Sequence, residues 1–111
     1  MRLQVRSVGP EITASGEPLY QRVPTKDDDG RAYSDFMVLI PGMRDLSARE
    51  LSDHVSGLQA VLGSYDQIVF ADLNLNLNLL WVTLRPKLGL IPEIAERLRQ
   101  RIPQAKLIAH E

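Results

Sequence analysis

Residues Tyr65 to Pro86 read YDQIVFADLNLNLNLLWVTLRP, an apolar run with Asn74, Asn76 and Asn78 at every second position in its middle. Side chains alternate across a strand, so Leu73, Leu75, Leu77 and Leu79 fall on one side and the three asparagines on the other. A helix would scatter that pattern. The run is longer than the ~10 residues that a single strand seldom exceeds, so it folds into a hairpin. The pattern predicts one arm over 67–72, a turn within Leu73 to Asn76, and a second arm over 77–85; asparagine suits such turns because it tolerates positive φ. In the second arm Asn78, Leu80, Val82 and Leu84 share one face, and Leu77, Leu79, Trp81 and Thr83 share the other. Apolar residues on both faces place this arm inside a sheet that is covered on each side.

Working outward, Asp35 to Ile40 (DFMVLI) is a second continuous apolar run, closed by Pro41 and Gly42. Phe36, Val38 and Ile40 face one way and Met37 and Leu39 the other, so it too reads as a central strand. Ser47 and Glu50 then have the spacing of a capping box, with Leu46 and Leu51 placed as a hydrophobic staple. Leu51, Val55, Leu58 and Leu62 form an apolar stripe at helical spacing, and Gly63 fits a C-terminal cap. After the hairpin, Pro92 suits the first turn of a second helix, whose inward stripe is Ile91, Ile94, Ala95, Leu98 and Ile102. Glu93 and Glu96 sit early in it, and Arg97, Arg99 and Arg101 late, as the helix dipole prefers. Pro103 ends it, and Lys106 to His110 (KLIAH) makes a last short strand. The order strand, helix, hairpin, helix, strand is the split βαβ pattern of the ferredoxin-like fold. The expected architecture is α+β: a βαββαβ sandwich with a four-stranded antiparallel sheet and two helices on one face.

The N-terminal third reads differently. Met1 to Val8 alternates loosely, as a short extra edge strand would, whereas Gly9 to Tyr33 carries Pro10, Gly16, Pro18, Pro24 and Gly30, too many breakers for a helix or a long strand. Residues 1–33 are expected to be an arm or extra strand plus long loop, with Ile12, Leu19, Tyr20 and Val23 as apolar anchors, and 34–111 the ferredoxin-like domain. Asp27, Asp28, Asp29 and Gly30 invite comparison with an EF-hand loop. The register does not fit: with Gly30 as the turn glycine, the first ligand falls on Thr25 and the closing glutamate on Phe36. A solvated acidic turn explains the composition.

The chain has 111 residues, 44% of them hydrophobic and 24% charged, enough for a core without disulfides or metal. A net charge of -1 supplies no field to draw in nucleic acid or an anionic membrane. There is no cysteine, which removes disulfides, thiolate catalysis and Cys-ligated zinc. The start, MRLQVRSVGPE, lacks the apolar core of a signal peptide, and no run approaches the ~18 apolar residues of a membrane span. A soluble, cytoplasmic protein without cofactor is the expectation.

Two helices cover only one face of a sheet, yet Met37, Leu39, Leu77, Leu79 and Trp81 need cover on the other. Either the arm crosses that face or a second copy packs on it as a homodimer. These five residues are the expected interface or ligand surface. No P-loop, dinucleotide fingerprint, HExxH pair or nucleophile elbow is present. His54 beside Asp53 lies off the helical stripe; with Asn78 it is a candidate for a pocket near Trp81. The arginines of the second helix, with Lys87 and Lys106, serve dipole matching and solubility or an anion patch.

Several resemblances bear on function. In offering Asn78, Trp81 and His54 the chain resembles some haem-degrading members of the small ferredoxin-like dimers, which implies a cofactor-free oxygenase or isomerase. An amphipathic helix followed by IPQAKLIAHE resembles the end of the cytoplasmic domain of cation diffusion facilitators, which implies a metal-sensing domain with a ligand at His110; the one other histidine is His54, and the residues themselves define no metal site. Pro41 and Gly42 after the first strand are similar to the binding loop of ACT-type regulatory domains. RNA recognition of the RRM kind would need exposed aromatic pairs that the central strands lack. The expected function is that of a non-enzymatic self-associating or ligand-binding, regulatory module taking a small molecule, with the small dimeric enzyme as alternative.

Overall fold

The computed structural model describes residues 3–6 and 32–110. Its elements are β1 (Leu3–Arg6), β2 (Ser34–Leu39), a 3-10 turn (Met43–Asp45), α1 (Ala48–Leu62), β3 (Ile68–Asn74), β4 (Leu79–Leu84), α2 (Leu90–Arg101) and β5 (Lys106–His110). The apolar anchors Ile12, Leu19, Tyr20 and Val23 and the acidic turn at 27–30 lie outside the described residues.

The strands form one sheet in the order β1-β3-β4-β2-β5. β4 pairs antiparallel with both β2 and β3, β5 pairs antiparallel with β2, and β1 runs parallel to β3. The expected four-stranded antiparallel sheet is thus corrected to a five-stranded mixed one. The cause is β1, which adds to the outer edge of β3 with Leu3 opposite Ala71 and Val5 opposite Leu73. Its Leu3 N–H also donates to Gln59 Oε1 of α1 at 3.1 Å, so the added strand is tied to the helix layer as well as to the sheet. Two helices and a five-stranded mixed sheet are compatible with a ferredoxin-like α+β fold.

The hairpin turn is the second correction. It spans Leu75 to Asn78, two residues later than the pattern predicts, and Asn74 pairs with Leu79 to close it. Three contacts hold it there. Asn74 Oδ1 accepts from the Leu77 N–H at 3.2 Å, Asn78 adopts φ 54° with its N–H donating to the Leu75 carbonyl at 3.3 Å, and the Asn78 carbonyl accepts from the Ile40 N–H at 2.7 Å. The last of these is tertiary, fixing the turn against the end of β2.

α1 begins with the capping box its sequence announces. The Glu50 N–H donates to Ser47 Oγ, and the Ser47 N–H donates to Glu50 Oε1, both at 3.1 Å. Gly63 ends the helix, but in right-handed geometry (φ -68°). What demands glycine there is space: a Cβ would sit 2.8 Å from the Gln59 carbonyl oxygen. α2 starts after Gly89, whose φ of 77° is the left-handed region, and carries Glu93 in its first turn and Arg99 and Arg101 in its last.

Leu58, Val61 and Leu62 of α1 and Leu90, Ile94 and Leu98 of α2 join Phe36, Val38, Leu73, Leu80, Val82 and Leu84 in one buried cluster. Both helices therefore cover the same sheet face. Each such leucine, fully buried, contributes about 1.5–3 kcal/mol relative to exposure. Among the described residues no helix is long and apolar enough to cross a membrane.

Candidate functional site

Directly paired residues point to the same side of a sheet, so the ladders define what the other face carries. One row runs Gln4, Asp72, Trp81, Met37; the next runs Asn74, Leu79, Leu39; a third runs Phe70, Thr83, Asp35. None of these side chains belongs to the cluster beneath the helices. Four of the expected surface residues come together here: Met37 is directly opposite Trp81, and Leu39 directly opposite Leu79. All four are half-buried. Leu77 lies in the hairpin turn and is 46% exposed.

Interleaved with them are polar groups, of which the sequence reading placed only Thr83 beside Trp81. Asp72, Asn74 and Thr83 are the buried polar residues of the described chain, at 1%, 2% and 0% exposure. Each stands opposite a larger side chain: Asp72 opposite Trp81, Asn74 opposite Leu79, Thr83 opposite Phe70. The Thr83 hydroxyl donates to Asp35 Oδ1 at 2.7 Å. Asn74 uses its oxygen in the turn, which leaves Nδ2 buried and without an acceptor. With the turn at Leu73 to Asn76, Asp72 and Leu77 would have closed the hairpin. Moving it by two residues keeps Asp72 on the same face and changes its opposite neighbour from Leu77 to Trp81.

The two candidate pocket residues serve other contacts. His54, on α1, places Nδ1 2.8 Å from the Glu50 carbonyl one turn back. Asn78 Oδ1 accepts from the Arg44 N–H at 3.1 Å, joining the hairpin turn to the 3-10 turn. His110 ends β5 opposite Phe36. Among the described residues no three His, Cys, Asp or Glu side chains are grouped as metal ligands would be. Of the arginines on α2, Arg97 lies 5.2 Å from the centre of the Tyr65 ring and donates to Ser64 Oγ at 2.9 Å, while Arg99 pairs with Glu96. Glu93 accepts from the Tyr65 hydroxyl at 2.8 Å, which completes the tie between α2 and the loop before β3.

Three clefts lie elsewhere, one of them, of about 440 Å³, between Tyr65, Gln67, Glu93 and the turn at 87–90. A second, of about 560 Å³, is bounded by Leu3 to Val5 and by Val69 and Phe70 at the β1 edge. The third, of about 450 Å³, opens at the end of the sheet opposite the hairpin turn, beside the first turn of α2. In comparisons with known proteins, no family model and no curated protein matches the chain.

Proposed function

We propose that the chain is a non-enzymatic self-associating module, a ferredoxin-like βαββαβ core with β1 added at its edge, and that it pairs with a second copy through the sheet face opposite its helices. The observation that carries this reading is the composition of that face. Asp72, Asn74 and Thr83 within it are sunk at 0–2% exposure, whereas Met37, Leu39, Leu79 and Trp81 remain half-exposed in two directly opposed pairs. What the centre of the face offers a partner is apolar, with Asp72 withdrawn between larger neighbours and exposed Gln4 and half-buried Asp35 on flanking positions, as in the apolar core and polar rim of a protein interface. A second copy presents the same patch, so the contact is isologous and closes on itself. None of the three clefts described above is lined by Trp81.

Trp81 is the chain's single tryptophan and sits within the patch, so its emission reports the contact directly. Light scattering is expected to give twice the 12.5 kDa chain mass, and dilution to shift Trp81 emission to the red as the pair dissociates. Leu79→Glu, at a half-exposed position, is expected to yield a folded monomer. A 12.5 kDa species at every concentration, with emission unchanged on dilution, would overturn the proposal.

A further inference from the structure

The groove beside α2 is built by a turn. The Leu90 N–H donates to the Lys87 carbonyl at 3.0 Å, and Gly89 between them has φ 77°, ψ -1°, the values of the third residue of a type II turn. That turn lifts Leu88 to its apex, where the side chain is completely exposed (103%) at the lip of the groove. Ile91, Pro92 and Leu107 form apolar walls below it, and Lys87 is the one charged residue of the lining, with Ser34 its hydroxyl. At about 450 Å³ the groove falls in the range of roughly 300–1,000 Å³ that small-molecule sites occupy.

We infer that this groove is a binding site for a small amphipathic carboxylate, its apolar body against Ile91, Pro92 and Leu107 beneath Leu88, and its carboxylate on the Lys87 ammonium. A leucine held wholly in water by a hydrogen-bonded turn gains burial only when something fills the space beside it. The single positive charge selects the sign of the ligand's polar end: a cation is repelled, and an uncharged chain gains nothing from Lys87. The groove lies away from the Met37–Trp81 pair, so this inference stands independently of how the sheet face is used.

The test uses the full chain, labelled with ¹⁵N, and three probes: decanoate, decanol and decyltrimethylammonium. Decanoate is expected to bind most tightly and to shift the amides of residues 84, 85, 87–91 and 107, with affinity falling as salt is added. Lys87→Gln is expected to weaken decanoate about two- to fivefold, the range for an exposed ion pair, and to leave decanol unchanged. Leu88→Ser, at a position that packs on nothing in the folded chain, is expected to weaken both by about tenfold or more while the circular dichroism stays that of the wild type. Equal binding of the three probes, shifts confined to other residues, no binding of decanoate, or affinities untouched by the two substitutions would each overturn the inference. So would Leu88→Ser converting a dimer to a monomer, because the groove would then hold Leu88 of a second copy.

Discussion

Thr83 and Asp35 face each other across the β2–β4 ladder on the side without helices, with a 2.7 Å hydrogen bond from hydroxyl to carboxylate. Thr83 is completely buried, so replacing it by valine keeps the shape and removes a donor that water cannot replace. Thr83→Val is expected to lose about 1–3 kcal/mol in urea unfolding. Exposed side chains follow a different rule. Hydrogen bonding from Ser47, backbone first and hydroxyl second, with a smaller contribution from the charge of His54, holds the Glu50 carboxyl below its ordinary 4.5. A carboxyl lowered in the folded state contributes its full stabilisation above the unfolded value and loses it as pH falls through the folded one. The stability difference between wild type and Glu50→Gln should therefore be constant from about pH 5 to 7 and shrink on further acidification, as read by urea titrations at each pH. Ser47→Ala, which removes the cap itself, should lower stability by about 0.5–2 kcal/mol.

Among the elements, those with strong local periodicity were legible in advance and those defined by a distant partner were not. Ser47, Glu50 and the Leu51, Val55, Leu58, Leu62 stripe describe α1 completely, because cap and stripe are local facts. β2 and β5 appear within a residue of their apolar runs. The hairpin is the counter-example. Every alternate residue from Leu73 to Leu79 is leucine, so the pattern stays self-consistent when the turn slides, and the deciding contact is the Asn78 carbonyl accepting from Ile40 far away in sequence. Register then decides the neighbours: Met37, Leu39, Leu79, Trp81 and Thr83 were legible from alternation alone, whereas the placing of Asp72 opposite Trp81 and of Asn74 opposite Leu79 was not. The turn supplies its own test. Asn78→Ala places an alanine at φ 54° and removes the bond to the Arg44 N–H, with an expected loss of about 1.5–3 kcal/mol. Asn78→Gly removes only the bond and should lose about 1 kcal/mol or less. Equal losses would mean that the side-chain bond, not the backbone conformation, governs the turn.

At the scale of the molecule, β1 covers the outer side of β3 and becomes the edge itself, four residues long against the seven of β3. Without it the outer edge of β3 would present unpaired N–H and C=O groups from Ala71 to Asn74. Such an edge templates pairing with other chains. A chain beginning at Tyr33 is accordingly expected to form species larger than those of the full chain at equal concentration, measured by light scattering; equal masses would show that the edge needs no cap.

The same pairing carries a timetable. Leu3 leaves the ribosome 68 residues ahead of its partner Ala71. At ~5–20 residues per second, that is a wait of roughly 3–14 seconds. α1 can already be coiled during this interval, since its cap and stripe lie within 47–62. β1 therefore waits longer for β3 than β2 waits for β4, and until β3 emerges its backbone groups lack their partner in the sheet.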